Sequence, residues 1–284
     1  MKKMWMNWVG CGAVALLTIM TARAEVLLFD LGDVKLSGET GANTFLVKNT
    51  HPEAALALDD GNLKWTSAGG QAFTYMLSYF TPQSLNVGDS ITLSYTLSAP
   101  TSSFQAAANT LRLGLFDSNG NDHITADLDG GSSTLFINNK GFGVGYQPGG
   151  GAANGKYGAR QANNAIFFGG WTDCSNSPTL TNPAYTELAG TFTITRTDTG
   201  VTLSSSIGDT PGSTLDLLTS ASGYTTNFDT LSFFTMHYGS NASDFIFKKL
   251  SVSLIPEPSV TVLLTAGVIL LALIVARRKS RCGC

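Results

Sequence analysis

Ile91-Thr92-Leu93-Ser94-Tyr95-Thr96-Leu97 alternates an apolar side chain with a hydroxyl-bearing one. Successive side chains of a strand point to opposite faces, so a period of two marks a strand with one face in a core and the other toward water. Asn86-Val87-Gly88-Asp89 ahead of it is a turn. The same pattern recurs on both sides. Ala72 to Phe80 predicts a strand with Phe73, Tyr75, Leu77 and Tyr79 on one face, and Leu111, Leu113 and Leu115 a third strand ending at Asp117-Ser118-Asn119-Gly120. Leu135 to Asn138 and Phe142 to Tyr146 predict two short strands joined by a hairpin at Asn138-Asn139-Lys140-Gly141. Phe192 to Thr197 and Val201 to Ser205 flank Asp198-Thr199-Gly200, a second hairpin. Leu231 to Tyr238 and Phe245 to Leu254 close the series. In the last strand Phe245 and Phe247 have one parity and Leu250, Val252 and Leu254 the other, so a β-bulge at Lys248-Lys249 is needed to put both sets on the core face.

Little competes with this β pattern. Gly, Thr, Ser and Asn are abundant, and helix-forming Glu, Gln and Lys are scarce. His51 to Leu58 is the single helix candidate, for one or two turns. Gln147 to Gly158 and Trp171 to Pro183 are predicted loops, rich in Gly, Pro, Ser and Asn. Roughly ten to thirteen strands in one unit of this length point to an all-β fold, a jelly-roll β-sandwich.

Both ends of the chain carry a different kind of information. In Met1 to Ala24, Lys2 and Lys3 precede an apolar centre from Val9 to Met20, and Ala22-Arg23-Ala24 puts small residues where a signal peptidase reads them. Residues 1–24 are thus a predicted signal peptide, cut before Glu25; Arg23 between the alanines leaves a permanent amino-terminal anchor as the alternative. At the other end, Val260 to Ala276 is a charge-free, largely apolar run of seventeen residues. As a helix it spans about 26 Å, close to the ~30 Å hydrocarbon core. Pro256 and Pro258 precede it, and Arg277, Arg278, Lys279 and Arg281 follow, a basic stop that predicts one transmembrane helix with the preceding chain outside.

Pro256-Glu257-Pro258, one apolar helix and a short Arg-rich end resemble the bacterial PEP-CTERM sorting domain over residues 256–281. The resemblance implies an exosortase that cuts near this triplet, an inner-membrane intermediate, delivery to the cell surface or extracellular matrix, and an association with exopolysaccharide and biofilm. Cys282 and Cys284 lie beyond that pattern, on the side predicted to be cytoplasmic, where thiols stay reduced.

The exported part, residues 25–255, holds ten Lys plus Arg against nineteen Asp plus Glu, a formal charge of −9. That balance excludes nucleic acid, which needs a basic surface. Cys174 is its sole cysteine, so no internal disulfide forms and stability rests on the core. Three passages resemble concanavalin-A-like or laminin-G-like domains: Val87 to Tyr95, Leu111 to Asp117, and Asp244 to Val252. The resemblance implies a first strand, Val26 to Phe29, paired with Leu250 to Leu254. It also implies carbohydrate or protein ligands, with enzymes a minority.

Few residues suggest chemistry. Asp117, Asn119 and Asp122 crowd oxygen atoms around Gly120, which suits either a Ca²⁺ loop or a plain Asn-Gly turn. Glycoside hydrolysis needs two carboxyl groups, about 5–5.5 Å apart for retention. Glu25, Glu39, Glu53 and Glu187 are isolated, and Asp127-Leu128-Asp129 runs into Gly130-Gly131 as a strand end. There is no Gly-x-Ser-x-Gly elbow, and His51, His123 and His237 lack metal-ligand spacing. No catalytic residue is assigned. Trp171 and Tyr157 are the candidates for stacking on sugar rings, while Trp65 is assigned to the core. The expectation is a non-catalytic surface protein, structural or polysaccharide-binding. The alternative is a glycoside hydrolase or lyase of the concanavalin-like group.

Overall fold

The computed structural model describes residues 25–48, 53–67, 72–98, 110–146, 155–176, 187–208, 210–237 and 243–257. The predicted signal peptide, with Ala22 and Ala24, lies outside them, as do Pro258, the predicted membrane helix and the basic stop. No helix among the described residues is long and apolar enough to cross a membrane. Val26–Leu254 forms a unit of its own, separate from the two ends of the chain.

The described strands, in chain order, are β1 (Val26–Asp30), β2 (Thr44–Lys48), β3 (Ala55–Asp59), β4 (Asn62–Ser67), β5 (Ala72–Ser84), β6 (Ser90–Ser98), β7 (Thr110–Asp117), β8 (Leu128–Asp129), β9 (Lys140–Tyr146), β10 (Lys156–Arg160), β11 (Trp171–Asp173), β12 (Glu187–Arg196), β13 (Gly200–Ile207), β14 (Thr210–Pro211), β15 (Leu215–Leu218), β16 (Asn227–His237) and β17 (Ser243–Ile255). They form two sheets. The first runs β14-β13-β12-β6-β17-β4-β3, with β1 added to β17 and β15 to β13; the second runs β11-β10-β9-β7-β16-β5-β2-β8. The fold is a jelly-roll β-sandwich, as the alternation in Ile91 to Leu97 predicts.

Between the sheets Leu93, Tyr95, Phe192, Leu203, Phe233, Phe247 and their neighbours are buried in one cluster. Each such side chain contributes roughly 1.5–3 kcal/mol by leaving water. Both apolar sets of β17 face the core, as a bulge at Lys248-Lys249 requires: Phe245, Phe247, Leu250 and Val252 are all buried, and Lys248 and Lys249 are both exposed. β1 pairs with β17 through Val26↔Leu254 and Phe29↔Val252, the closure that the resemblance implied.

Several expectations need correction. Leu135 to Asn138 is not a strand, and no hairpin joins it to β9. Thr134–Phe136 is a 3₁₀ turn capped by the Ser133 side chain, which accepts from the Leu135 N–H. The turn sends Phe136 onto the second sheet, against Tyr75 and Phe167. Ala55 to Leu58 is strand β3, not helix. It pairs with β4 across Asp60-Gly61, both at positive φ (48° and 74°), an Asp-Gly hairpin signal that the helical reading passed over. The predicted loop to Gly158 ends earlier, because Lys156–Arg160 is strand β10. The start of the loop predicted from Trp171 is strand β11.

The pattern of β5 predicts one apolar face, and the strand has two. Met76 and Phe80 enter the inter-sheet core, while Tyr75, Leu77 and Tyr79 lie in a second cluster on the outer face of the second sheet. This second core exists because that face is bare at one end. Gly114, Gly143 and Gly158 sit in register across β7, β9 and β10. Their missing side chains leave a trough for bulky neighbours: a Cβ on Gly158 would lie 2.2 Å from two ring carbons of Trp171. Phe136, Phe167 and Phe168 cover the rest from the intervening loops.

Candidate functional site

Arg160 fixes the loops that cover the second sheet. It lies on β10 and is fully buried. Its guanidinium donates to the carbonyl of Gln161 at 2.7 Å, to that of Asn164 at 2.8 Å, and to that of Phe136. It stands 5.0 Å over the Phe167 ring. Burial, the largest influence, pulls its pKa down to about 10. The outer face of this end of the sheet is therefore filled by the chain itself.

Next to the filled face the chain leaves a cleft of about 600 Å³. Its lining includes Asp33, Lys35, Asn43, Tyr79 and His123, over a floor with Phe45 and Phe80. One wall comes from the segment after β1. There Asp30 and Asp33 cap a 3₁₀ turn reciprocally: Asp30 Oδ1 accepts from the Gly32 N–H at 2.7 Å, and Asp33 Oδ2 from the Asp30 N–H at 2.9 Å. Asn43 ties this wall together by donating from Nδ2 to the Asp33 carbonyl and accepting the Lys35 N–H at Oδ1, both at 2.9 Å.

The facing wall is built on a buried carboxylate. Asp229, on β16, accepts from the Ser118 N–H at 3.0 Å, from the Thr230 hydroxyl at 2.7 Å, and from the Ser118 hydroxyl. His123 Nε2 lies 3.3 Å from its Oδ2. Burial alone pushes the Asp229 carboxyl up, but the hydrogen bonds from His123, Ser118 and Thr230 outweigh it and hold it below the usual carboxylate range. Gripped at one nitrogen, the His123 ring stacks flat on Tyr79, with centroids 3.8 Å apart and planes within 4°. The Tyr79 hydroxyl accepts from the Ile124 N–H at 3.4 Å. Aromatic carbon plus a few fixed polar groups in a concave site is the usual make-up of a small-ligand pocket.

The comparisons with known proteins give a fold. No family model and no curated protein matches the chain. Among solved structures it is similar to an endo-1,3-beta-glucanase from Streptomyces sioyaensis, with 12% identity, a TM-score of 0.50, and coverage of 84% of this chain and 100% of that one. It is also similar to the Emp46p carbohydrate recognition domain in its potassium-bound form, at 13% identity and a TM-score of 0.48, covering 80% and 95%. A third is the basic winged bean lectin with Tn-antigen, at 9% and 0.46, covering 82% and 100%. At 12% identity the likeness to the glucanase is one of fold.

The residues singled out from sequence fare differently. Tyr157 cannot stack on a sugar: it is fully buried between the sheets, its hydroxyl donating to the Ser213 carbonyl at 2.6 Å and lying 3.1 Å from Ser205 Oγ. Trp171 is half-buried over Gly158, and Arg112 covers its ring at 5.4 Å, so a cation occupies a face that a sugar would need. Trp65 is in the core, fully buried. Asp117, Asn119 and Asp122 lie in and after a turn that Asp117 helps to close. Asp117 accepts from the Asn119 N–H and the Thr225 hydroxyl, both at 2.7 Å, while Asn119 and Gly120 turn the chain at positive φ and Asp122 is exposed. Among the described residues no three His, Cys, Asp or Glu side chains could share a metal ion. Asp127 accepts from the Leu46 N–H at 2.9 Å, and Asp129 ends β8 beside Lys48, 3.4 Å away. Of the sorting triplet, Pro256 and Glu257 follow directly on β17, and Glu25 directly precedes β1.

Sequence reasoning missed the His123–Asp229 pair. The partners are 106 residues apart, and neither stands in a motif. The one available signal was a carboxylate, Asp229, two residues ahead of the predicted strand that begins at Leu231.

Proposed function

We propose that this chain is exported and displayed at the cell surface, where its sandwich binds carbohydrate without cleaving it. The observation that carries the binding reading is the cleft: aromatic carbon from Phe45, Tyr79 and His123 lies beside fixed polar groups, and Asp33 is the one carboxylate in its described lining. Hydrolysis of a glycosidic bond asks for two. Asp33 is moreover committed to the Asp30 N–H. The test is a panel of oligosaccharides titrated calorimetrically into the full-length chain held in mild detergent. Binding that falls at least ten-fold in His123→Ala is expected; no binding to any member overturns the reading.

The targeting part of the proposal rests on the two ends of the sequence. A signal peptidase removes residues 1–24, the apolar run 260–276 holds an inner-membrane intermediate, and an exosortase acts at Pro256-Glu257-Pro258 before release to the surface or matrix. Mass spectrometry of surface protein should find chains lacking Val260 to Cys284; an intact tail refutes the sorting step.

A second reading, cleavage of a polysaccharide by hydrolysis or elimination, is favoured by the His123–Asp229 pair, since a histidine held by a carboxylate is a competent general base. It predicts release of reducing ends that disappears in His123→Ala.

A further inference from the structure

Charge in the exported part is unevenly matched. Four described lysines sit against carboxylates: Lys48 with Asp129 at 3.4 Å, Lys64 with Asp244 at 2.8 Å, Lys156 with Asp173 at 3.3 Å, and Lys248 with Glu187. Lys35, Lys140 and Lys249 have no carboxylate within ion-pair reach among the described residues, and of these Lys35 alone stands in the described lining of the cleft. Residues 25–255 carry nine more acids than bases, so acids are not in short supply.

The backbone of Lys35 is nevertheless held tightly. Its N–H donates to Asn43 Oδ1, and its carbonyl accepts from the backbone N–H groups of Asn43 and Thr44, both at 3.0 Å. Its side chain passes Gly41, where a Cβ would lie in ordinary contact, 3.7 Å from Lys35 Nζ. The charge thus rides on an anchored base at the edge of an aromatic cleft. Asp33 lines the same cleft but is fixed by its bond to the Asp30 N–H, so the two opposite charges stand apart instead of pairing.

We infer that the cleft selects an acidic saccharide, one bearing a uronic acid whose carboxylate pairs with Lys35 while its ring lies against the aromatic lining. This rests on the cleft being the carbohydrate site. Lys is suited to the task as a compact cation on a flexible stem, able to meet a carboxylate in several poses. Asp33 sets the polarity, because a like charge disfavours a carboxylate at its own end of the cleft.

The test is calorimetric titration of the full-length chain in mild detergent with trigalacturonic acid and with a neutral trisaccharide of matched length, laminaritriose. The acidic sugar should bind about five-fold tighter, the order expected of one partly exposed ion pair. That preference should shrink toward unity at about 0.5 M salt. Lys35→Gln should abolish the preference, so that the two sugars bind with the same affinity. Asp33→Asn keeps an acceptor for the Asp30 N–H and should tighten the acidic sugar alone. If laminaritriose binds and trigalacturonic acid binds no tighter, or Lys35→Gln retains the preference, the selectivity is wrong and carbohydrate binding stands. If neither sugar binds but another member of the oligosaccharide panel does, the selectivity is wrong and carbohydrate binding stands; if no member binds, the carbohydrate reading fails, and this inference with it.

Discussion

Replacing Arg160 by methionine should loosen one region of the molecule and leave the rest intact. Methionine keeps much of the stem's volume and removes the guanidinium. Three carbonyl acceptors lose a charged donor: Phe136, Gln161 and Asn164. The Phe136 carbonyl keeps the Asn139 N–H, whereas a buried carbonyl left without any partner costs about 1–3 kcal/mol. Against this stands relief from burying a cation, a penalty visible in the fall of the Arg160 pKa to about 10. The net expectation is a loss of about 3 kcal/mol, equivalent to a fall in Tm of roughly 6–12 °C for a domain of this size. Lysine should rescue little, since a single ammonium cannot fork to carbonyls on two separate loops. Calorimetry gives the overall change, and hydrogen exchange gives its location. The amides of Phe136, Ile137 and Asn139, which close the 3₁₀ turn and its exit, should lose protection, as should Gln161, which bonds to the Gly170 carbonyl. Those of β6 and β12 should not. A Tm within 1 °C of the parent, full rescue by lysine, or loss of protection spread evenly over both sheets would refute the assignment of Arg160 as the pin of the covering loops.

Three further outcomes are expected from the geometry. Asp229 is held below its ordinary pKa, so the stability it contributes is present above the unfolded value near 4 and is lost as pH falls through the lower folded value; acid unfolding of Asp229→Asn should show a shallower pH dependence over that window, and an unchanged profile counts against it. Gly158→Ala places a methyl 2.2 Å from the Trp171 ring, which should displace the indole, red-shift its emission and cost about 1–3 kcal/mol in urea unfolding, whereas unchanged emission would mean the trough has slack. Burial pushes the Cys174 thiol up to about 12, so iodoacetamide at pH 8 should label native protein far more slowly than protein in urea, and equal rates would contradict its packing.

How much of the fold is legible in the sequence depends on what each strand touches. β6 reads cleanly because one face is buried and the other half-exposed, giving the burial pattern that simple alternation encodes. β5 is buried on both faces, so Tyr75, Leu77 and Tyr79 look like the core face although Met76 and Phe80 hold that role. β3 lies at a sheet edge with four of its five residues exposed, which leaves no apolar parity to read. β10 reads as loop because Gly158 looks like a breaker, when its missing side chain makes room for an indole. The fold survives such errors, since closure depends on many strands. The site does not: it joins Lys35, Tyr79, His123 and Asp229 from four distant stretches, and no local pattern announces their meeting.

The pairing of β1 with β17 has a consequence for timing. A chain that emerges amino terminus first from a ribosome releases β1 at the start and its one strand partner among the described residues at the end. β17 also bridges β6 to β4 in the middle of the first sheet, so that sheet stays in two halves until the last strand arrives. Contacts this distant along the chain close slowly. A nascent molecule therefore lacks a complete first sheet until β17 has emerged, a state that a chaperone can hold.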